Sequence, residues 1–244
     1  MTWSNNDIAA LVEPDRVHRK AYVDPDIFDL EMERIFERQW IYIGHESQIP
    51  NPGDYYRARV GRQPMIMTRD HKGQIHVLYN RCPHRGAQLC TARKGNAGKL
   101  IRCSYHAWMF ELDGQLESVP ALGDYENTGF DINDAKFHVR KAPRADNYRG
   151  FWFASLADQG PDLVTHLGGA KQAFDQLVDR APDGETEVVG DCFRMIQKSN
   201  WKIFLENQLD AVHPSITHRS PGDAAAQEQK VYKQKTGEDP PIGY

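Results

Sequence analysis

Long hydrophobic runs are missing from this 244-residue chain. No apolar stretch approaches the roughly 18 residues that a membrane-spanning helix needs, so no membrane association is expected. The first residues, Met1-Thr2-Trp3-Ser4-Asn5-Asn6-Asp7, are polar and acidic. They lack the basic start and apolar stretch of a secretory signal. Cysteine is scarce. Four residues are too few for a disulfide scaffold, and a reducing cytoplasm is the expected compartment. Charge of one sign is not in large excess either: the net charge is −4, which makes nucleic acid and anionic membrane surfaces unexpected partners. There is no internal repeat and no low-complexity segment. The remaining composition, 40% hydrophobic and 10% aromatic, is that of a globular protein with one large domain or two small ones.

Against this background two short pairs stand out, Cys82-Pro83-His84 and Cys103-Ser104-Tyr105-His106, with 18 residues between His84 and Cys103. Each offers one thiolate and one imidazole. That mixture fits a Rieske [2Fe–2S] centre, in which two thiolates hold one iron and two imidazoles the other. Neutral imidazoles make such a cluster easier to reduce than a four-thiolate one, with potentials of roughly −150 to +300 mV. A structural zinc ion is the alternative for two Cys and two His. Zinc fingers usually group like with like, however, and here each pair is mixed. Gly86 and the turn at Pro83 suit a tight loop whose backbone N–H groups could face sulfur. Gly95, Gly98 and the polar residues between them read as an exposed connection. Cys90 and Cys192 are left over and read as small, partly buried apolar residues.

Asp24-Pro25 opens a helix, with Asp24 as N-cap, that runs to about Gln39. Its Ile27, Leu30, Ile35 and Phe36 share a stripe that reads as core-packing. Strand-like runs follow at Trp40–Ile43, Tyr55–Val60, Met65–Thr68, Ile75–Tyr79, Leu100–Cys103, Trp108–Leu112 and Phe151–Ala154. Gly and Pro clusters punctuate them, and Asp113-Gly114 is a two-residue hairpin signal. The pattern predicts a small antiparallel β domain over 38–157, with both ligand loops at hairpin ends. Residues 1–37 form a helical segment before it, and 158–244 a further part. In that last part Lys171–Arg180 reads as a helix, Glu187–Gln197 as a strand, and Trp201–Val212 as a helix. The overall class is α+β.

On that last helix Glu206, Asp210 and His213 are spaced i, i+4, i+7 and share a face beside Asn207. An amphipathic helix with a solvated acidic edge would look the same. Pro214 ends or kinks the helix directly after His213. On a straight helix His213 and His218 would point about 140° apart. A break at Pro214 lets them meet, as two members of the 2-His-1-carboxylate set that holds Fe(II) with positions open for O2.

The runs Asn80-Arg81-Cys82-Pro83-His84-Arg85-Gly86-Ala87 and Cys103-Ser104-Tyr105-His106-Ala107-Trp108 resemble the cluster-binding region of the α subunits of Rieske non-haem iron ring-hydroxylating oxygenases. Ala107 stands where Gly is more frequent in that family. Glu206-Asn207-x-x-Asp210-x-x-His213-x4-His218 is similar to the mononuclear-iron motif of the same family, with Val212 where many members carry Tyr. The resemblance implies a Rieske domain followed by the start of a helix-grip catalytic domain. It implies Cys82, His84, Cys103 and His106 as cluster ligands and His213 and His218 as iron ligands. Asp210 would join His213 to a cluster histidine of a neighbouring subunit, which suits a carboxylate accepting imidazole N–H bonds. Asn207 would lie near the iron. The implied reaction is O2-dependent hydroxylation of an aromatic substrate, with an aromatic acid the expectation from overall likeness. The implied assembly is trimer-based, with or without a small β subunit.

In the family the third iron ligand is an Asp well over a hundred residues after the second His. This sequence runs 26 residues past His218, so an incomplete catalytic domain is expected. Asp223, Glu228, Glu238 and Asp239 read as members of a polar tail without helical or strand context. No Gly-x-Gly-x-x-Gly follows a strand, so electrons would come from a separate reductase or ferredoxin. A Rieske ferredoxin-like carrier without catalysis is the second reading, and a zinc-stabilised binding module the third.

Overall fold

The computed structural model describes residues 3–190 and 195–240, so Cys192 and the middle of the expected strand Glu187–Gln197 lie outside the described residues. The chain forms two compact units, Met1–Asp24 with Arg194–Tyr244, and Pro25–Phe193. Their borders differ from the three segments read from the sequence.

The first unit begins with helix α1 (Asn5–Ala9). Ser4 caps it, accepting from the Asp7 N–H while the Asp7 carboxylate accepts from the Ser4 N–H. Two short strands, β1 (Val12–Glu13) and β2 (Arg16–Val17), pair antiparallel, and helix α2 (Lys20–Val23) follows.

The second unit opens with α3 (Pro25–Glu31), with Pro25 at the first helical position where its missing N–H costs nothing. The helix continues as a π-helical turn, Met32–Phe36. Only Ile27 of the expected apolar stripe is buried, and Ile35 is exposed. The wider π turn shifts the phase of the stripe, so its second half leaves the core.

Ten strands follow: β3 (Ile41–His45), β4 (Asp54–Val60), β5 (Gln63–Arg69), β6 (Ile75–Tyr79), β7 (Lys94–Asn96), β8 (Leu100–Arg102), β9 (Met109–Glu111), β10 (Leu116–Ser118), β11 (Arg144–Tyr148) and β12 (Phe151–Ser155). They make three antiparallel sheets ordered β6-β5-β4-β7, β10-β9-β8 and β11-β12-β3. The four-stranded sheet is a partition. Side chains alternate across a strand, and on β5 Met65 and Met67 join Ile43, Tyr56, Val77 and Ala154 on one face. Ile66 of β5 and Leu78 of β6 turn the other way, into a core with Phe110, Leu112, Trp108 and both loop cysteines. Burial on both sides explains the unbroken apolar run Met65-Ile66-Met67. Each such side chain contributes about 1.5–3 kcal/mol.

β7 and β11 have no signature in the sequence. Lys94-Gly95-Asn96 is wholly exposed but pairs with β4 through Asp54, Tyr55 and Tyr56. The stretch read as a plain connection is thus an edge strand in its first part. The hairpin at Asp113-Gly114 is present with a three-residue loop, because the Glu111 N–H donates to the Gln115 carbonyl. Leu112 is held out of a two-residue turn by its burial and by Thr68 Oγ1, which donates to its carbonyl at 2.6 Å. Gly114 has φ +96°, and a side chain there would meet the Val139 carbonyl at 2.8 Å.

The β5–β6 turn is tied by Asp70. Its Oδ1 accepts from the N–H groups of Lys72 and Gln74, both at 2.8 Å, and its Oδ2 lies 2.8 Å from His76 Nε2. Burial raises the Asp70 pKa, but these donors outweigh it and hold the carboxyl below its ordinary value. A depressed pKa gives stability that is full above the ordinary carboxylate value and is lost as pH falls through the folded one. Asp70→Asn should therefore cost about 1–3 kcal/mol at neutral pH. Urea titrations repeated at falling pH should show the variant and the parent converge in acid.

After β12, helices α4 (Leu163–Leu167) and α5 (Lys171–Val178) fold back on the outer sheet. Leu163, Leu167 and Phe174 pack with Trp40 and Phe153. No strand forms in the described parts of 187–197. Strands need a paired neighbour, none is present among the described residues, and Ile196 is 94% exposed. The first unit then resumes with α6 (Trp201–Leu209), α7 (His213–Thr217) and α8 (Arg219–Thr236). α8 corrects the reading of a structureless tail. Pro221 and Gly222 fall in its first turn, where a missing N–H is tolerated, and Ala224-Ala225-Ala226 with the Gln, Glu and Lys that follow favour helix. Gly237, at φ +76°, ends it. The class is α+β, as the alternation of runs predicts.

Candidate metal centre

The two ligand loops share one hydrogen-bonded frame. In the first, the Cys82 N–H donates to the Ala87 carbonyl at 2.8 Å, and the Gly86 N–H to the Cys82 carbonyl at 2.9 Å. In the second, the Cys103 N–H donates to the Trp108 carbonyl at 2.9 Å, and the Ala107 N–H to the Cys103 carbonyl at 3.1 Å. The residue four places after each cysteine is left-handed: Gly86 at φ +75° and Ala107 at φ +55°. Ala107 thus takes a Gly conformation with a Cβ attached, a strain of about 1–2 kcal/mol. Ala107→Gly should stabilise the fold by up to about 1 kcal/mol after the extra entropy of Gly is counted. Chemical denaturation of the two proteins checks this.

The frame brings the four predicted ligands into one region. Both cysteines are buried, each 2% exposed, while both histidines are half-buried. The His84 and His106 ring centroids lie 4.6 Å apart at 67°. Trp108 stacks on His84 at 4.8 Å with the planes 3° from parallel, and Tyr105 lies against His106. Burial is the largest cause lifting the Cys82 thiol to about 11, and the neighbouring Cys103 lifts it further. The backbone N–H groups of His84 and Arg85 act the other way, as the tight loop predicts. Burial, then the charges of His106 and Arg85, hold His84 below its ordinary range. The same surroundings favour the neutral imidazole, the form that binds metal. Cys90 is buried in the same core, its thiol pushed up to about 12 by burial. Its backbone is held by Asn80.

Nδ1 of His106 is buried without a hydrogen-bond partner. An orphaned imidazole nitrogen beside a second imidazole, with two thiols behind, fits the donor set of a Rieske cluster. Among the described residues no three His, Cys, Asp or Glu side chains gather as a single metal ion requires. A cluster with two protein ligands on each iron has no need of that, whereas structural zinc takes four ligands at one point.

The second constellation is arranged differently from the predicted helix face. α6 ends at Leu209, and Asp210 caps it in extended conformation (φ −77°, ψ 110°). Pro214 sits in the first turn of α7, so it starts a helix where it was expected to stop one. The break still brings the two histidines together, with the His213 and His218 rings 5.4 Å apart. Asp210 Oδ1 accepts from the N–H groups of Val212 at 2.8 Å and His213 at 3.3 Å. These bonds lower its pKa most, the Val212 one first, and His213 adds to them. Asp210 Oδ2 lies 3.3 Å from His213 Nδ1. Glu206 is turned away to accept from the Tyr22 hydroxyl at 2.8 Å. Asn207 is exposed on α6. Two of the four tail carboxylates are engaged elsewhere, Asp223 with Arg219 and Asp239 with Lys233.

The profile of the Rieske [2Fe–2S] domain matches residues 39–136. Along 230 residues the chain is 40% identical to the anthranilate 1,2-dioxygenase large subunit of Acinetobacter baylyi, covering 94% of this chain and 48% of that protein. It is 40% identical to the toluate 1,2-dioxygenase α subunit of Pseudomonas putida over 91% of this chain and 50% of that one. The solved naphthalene 1,2-dioxygenase from Rhodococcus sp., bound to indole, superposes with a TM-score of 0.80 at 35% identity, covering 89% of this chain and 50% of that one. The chain carries a Rieske [2Fe–2S] domain and is similar over most of its length to the large subunits of ring-hydroxylating dioxygenases. It spans about half the length of the curated relatives it matches.

Three features of the Rieske domain carry no plain sequence signal. Trp108 could be marked only as an aromatic two places after a ligand histidine. The strain at Ala107 shows only as a departure from Gly. Asn80 shows only as a polar residue flanked by an apolar strand.

Proposed function

We propose that this chain relays electrons within a ring-hydroxylating oxygenase. Cys82 and Cys103 would hold one iron of a Rieske cluster, His84 and His106 the other. His213 and His218 would hold a mononuclear iron. When bound, the cluster supplies one-electron transfer and the mononuclear iron supplies O2 activation. Asp210 braces the turn that carries His213 through its backbone N–H bonds and faces the ring Nδ1 at 3.3 Å. It is also the residue we assign to the contact with a cluster histidine of a neighbouring subunit, in a trimer-based assembly. Asn207 would lie near the iron.

The electron donor is a reductase or ferredoxin, and the compartment is the cytoplasm. No described helix is long and apolar enough to cross a membrane. The substrate class is an arene, hydroxylated to a cis-dihydrodiol or monooxygenated. An aromatic acid is favoured because anthranilate and toluate name the two relatives at 40% identity.

The observation that carries the reading is the pair of half-buried imidazoles 4.6 Å apart over two buried thiols. Anaerobic purification tests it. A red-brown protein with a Rieske EPR signal and about three irons per chain is expected from two irons in the cluster and one at the histidines. A colourless protein containing zinc overturns the reading. The second reading is an electron carrier without catalysis. An iron count of about two per chain would favour it.

A further inference from the structure

The two ligand loops are closed from below in different ways. Beneath the second, β8 and β9 form a ladder with Arg102 opposite Met109 and Leu100 opposite Glu111. The expected hairpin is therefore present there. It is absent under the first loop. β6 pairs with β5, and the returning chain joins no strand until Lys94 reaches Tyr56 on β4.

The side chain of Asn80 occupies that gap. It is 1% exposed. Its Nδ2 donates to the Cys90 carbonyl at 2.8 Å, and its Oδ1 accepts from the N–H groups of Leu89 at 3.1 Å and Cys90 at 2.9 Å. With the Gln88 amide oriented to satisfy its neighbours, Gln88 Oε1 accepts the second Nδ2 hydrogen at 3.1 Å and also binds Arg57. Asn80 thus uses all four of its hydrogen-bonding positions. Arg57 also reaches the Thr91 carbonyl. One buried amide therefore ties residue 80, at the start of the loop, to residues 88–90 at its end.

We propose that Asn80 is a positioning residue for the cluster, its amide replacing the missing strand pair and fixing how the first loop presents Cys82 and His84. The inference rests on the cluster reading above. A cluster's potential depends on hydrogen bonds to its sulfurs and on solvent access, and the first-loop backbone controls both. A loop without its clamp would be held by β6, by its inner turn and by the Arg57 contacts to Gln88 and Thr91, with no direct tie between residue 80 and residues 88–90.

The test uses the full chain with its cluster reconstituted anaerobically. Asn80→Ala leaves the N–H groups of Leu89 and Cys90 and the Cys90 carbonyl buried and unpaired. The expected results are a shifted reduction potential, altered EPR g-values, and about tenfold faster amide exchange at Leu89 and Cys90. Thr68→Val is the control for stability alone. Thr68 is fully buried and hydrogen-bonded to Leu112, outside the first loop. It should lower the melting temperature with potential and g-values unchanged.

If Asn80→Ala does not fold, Gln88→Leu removes one of the four bonds and should shift the potential in the same direction by less. Wild-type potential and g-values in a folded Asn80→Ala, or in Gln88→Leu when the first variant fails, overturn the proposal. A parent chain with no Rieske signal would remove the cluster reading instead. Amide exchange in the metal-free chain would then decide the clamp, with unchanged exchange overturning it.

Discussion

Cys82→Ser is expected to give a colourless chain that has lost about two irons and its acid-labile sulfide. The loss should be complete. The Cys82 sulfur is 2% exposed, so no water or external thiol can take its place. A serine hydroxyl gives up its proton far less readily than a thiol and would stay a neutral, poor ligand. Burial lifts the Cys82 thiol to about 11, so a thiolate there needs a bound metal to stabilise it. Metal binding and deprotonation are one linked event. The apo fold should survive, because serine and cysteine are nearly the same size and the loop frame is made by backbone groups. Iron and sulfide assays with a circular dichroism spectrum check both halves. A variant that keeps its colour and EPR signal would refute the ligand assignment.

Trp108→Ala is expected to cost about 3–5 kcal/mol of stability, the range for emptying a large aromatic site. Trp108 is 3% exposed and touches Phe110, Phe130 and Phe137, with ring centroids 5.9–6.4 Å away. Its loss opens a cavity at the centre of that aromatic group. It also removes the face on which His84 lies. The imidazole then gains rotational freedom and contact with water. Denaturant titration should show the lost stability. The cluster should load with a broadened EPR spectrum, a change that a cavity remote from His84 would not produce. Unchanged g-values would confine Trp108 to a packing role.

Much of this was legible in the sequence, and the reasons are local. The strand runs were visible because β branching, aromatic content and Gly or Pro punctuation are written into neighbouring residues. The two Cys-His pairs stand out because their chemistry is rare at that spacing. Other features depend on partners far along the chain. Asp210 was read on a helix face because spacing alone cannot show that α6 stops at Leu209. The strand expected at 187–197 reads from apolar residues such as Val188, Val189 and Ile196, yet a strand exists only by pairing, and the described residues offer it no neighbour. α8 was missed because Pro221 and Gly222 look like breakers until their place in the first turn is known. Asn80 shows the limit from the other side. Nothing in the order of letters says that an amide will take over the work of a ladder.

The unequal burial of the four proposed ligands would also set an order of decay for a bound cluster. Both sulfurs are walled in by the core, and both rings come toward the surface. Acid or a chelator arriving from solvent reaches nitrogen before sulfur. Dismantling should therefore start at the imidazole-bound metal and pass through a species that has lost one iron and kept its cysteines engaged.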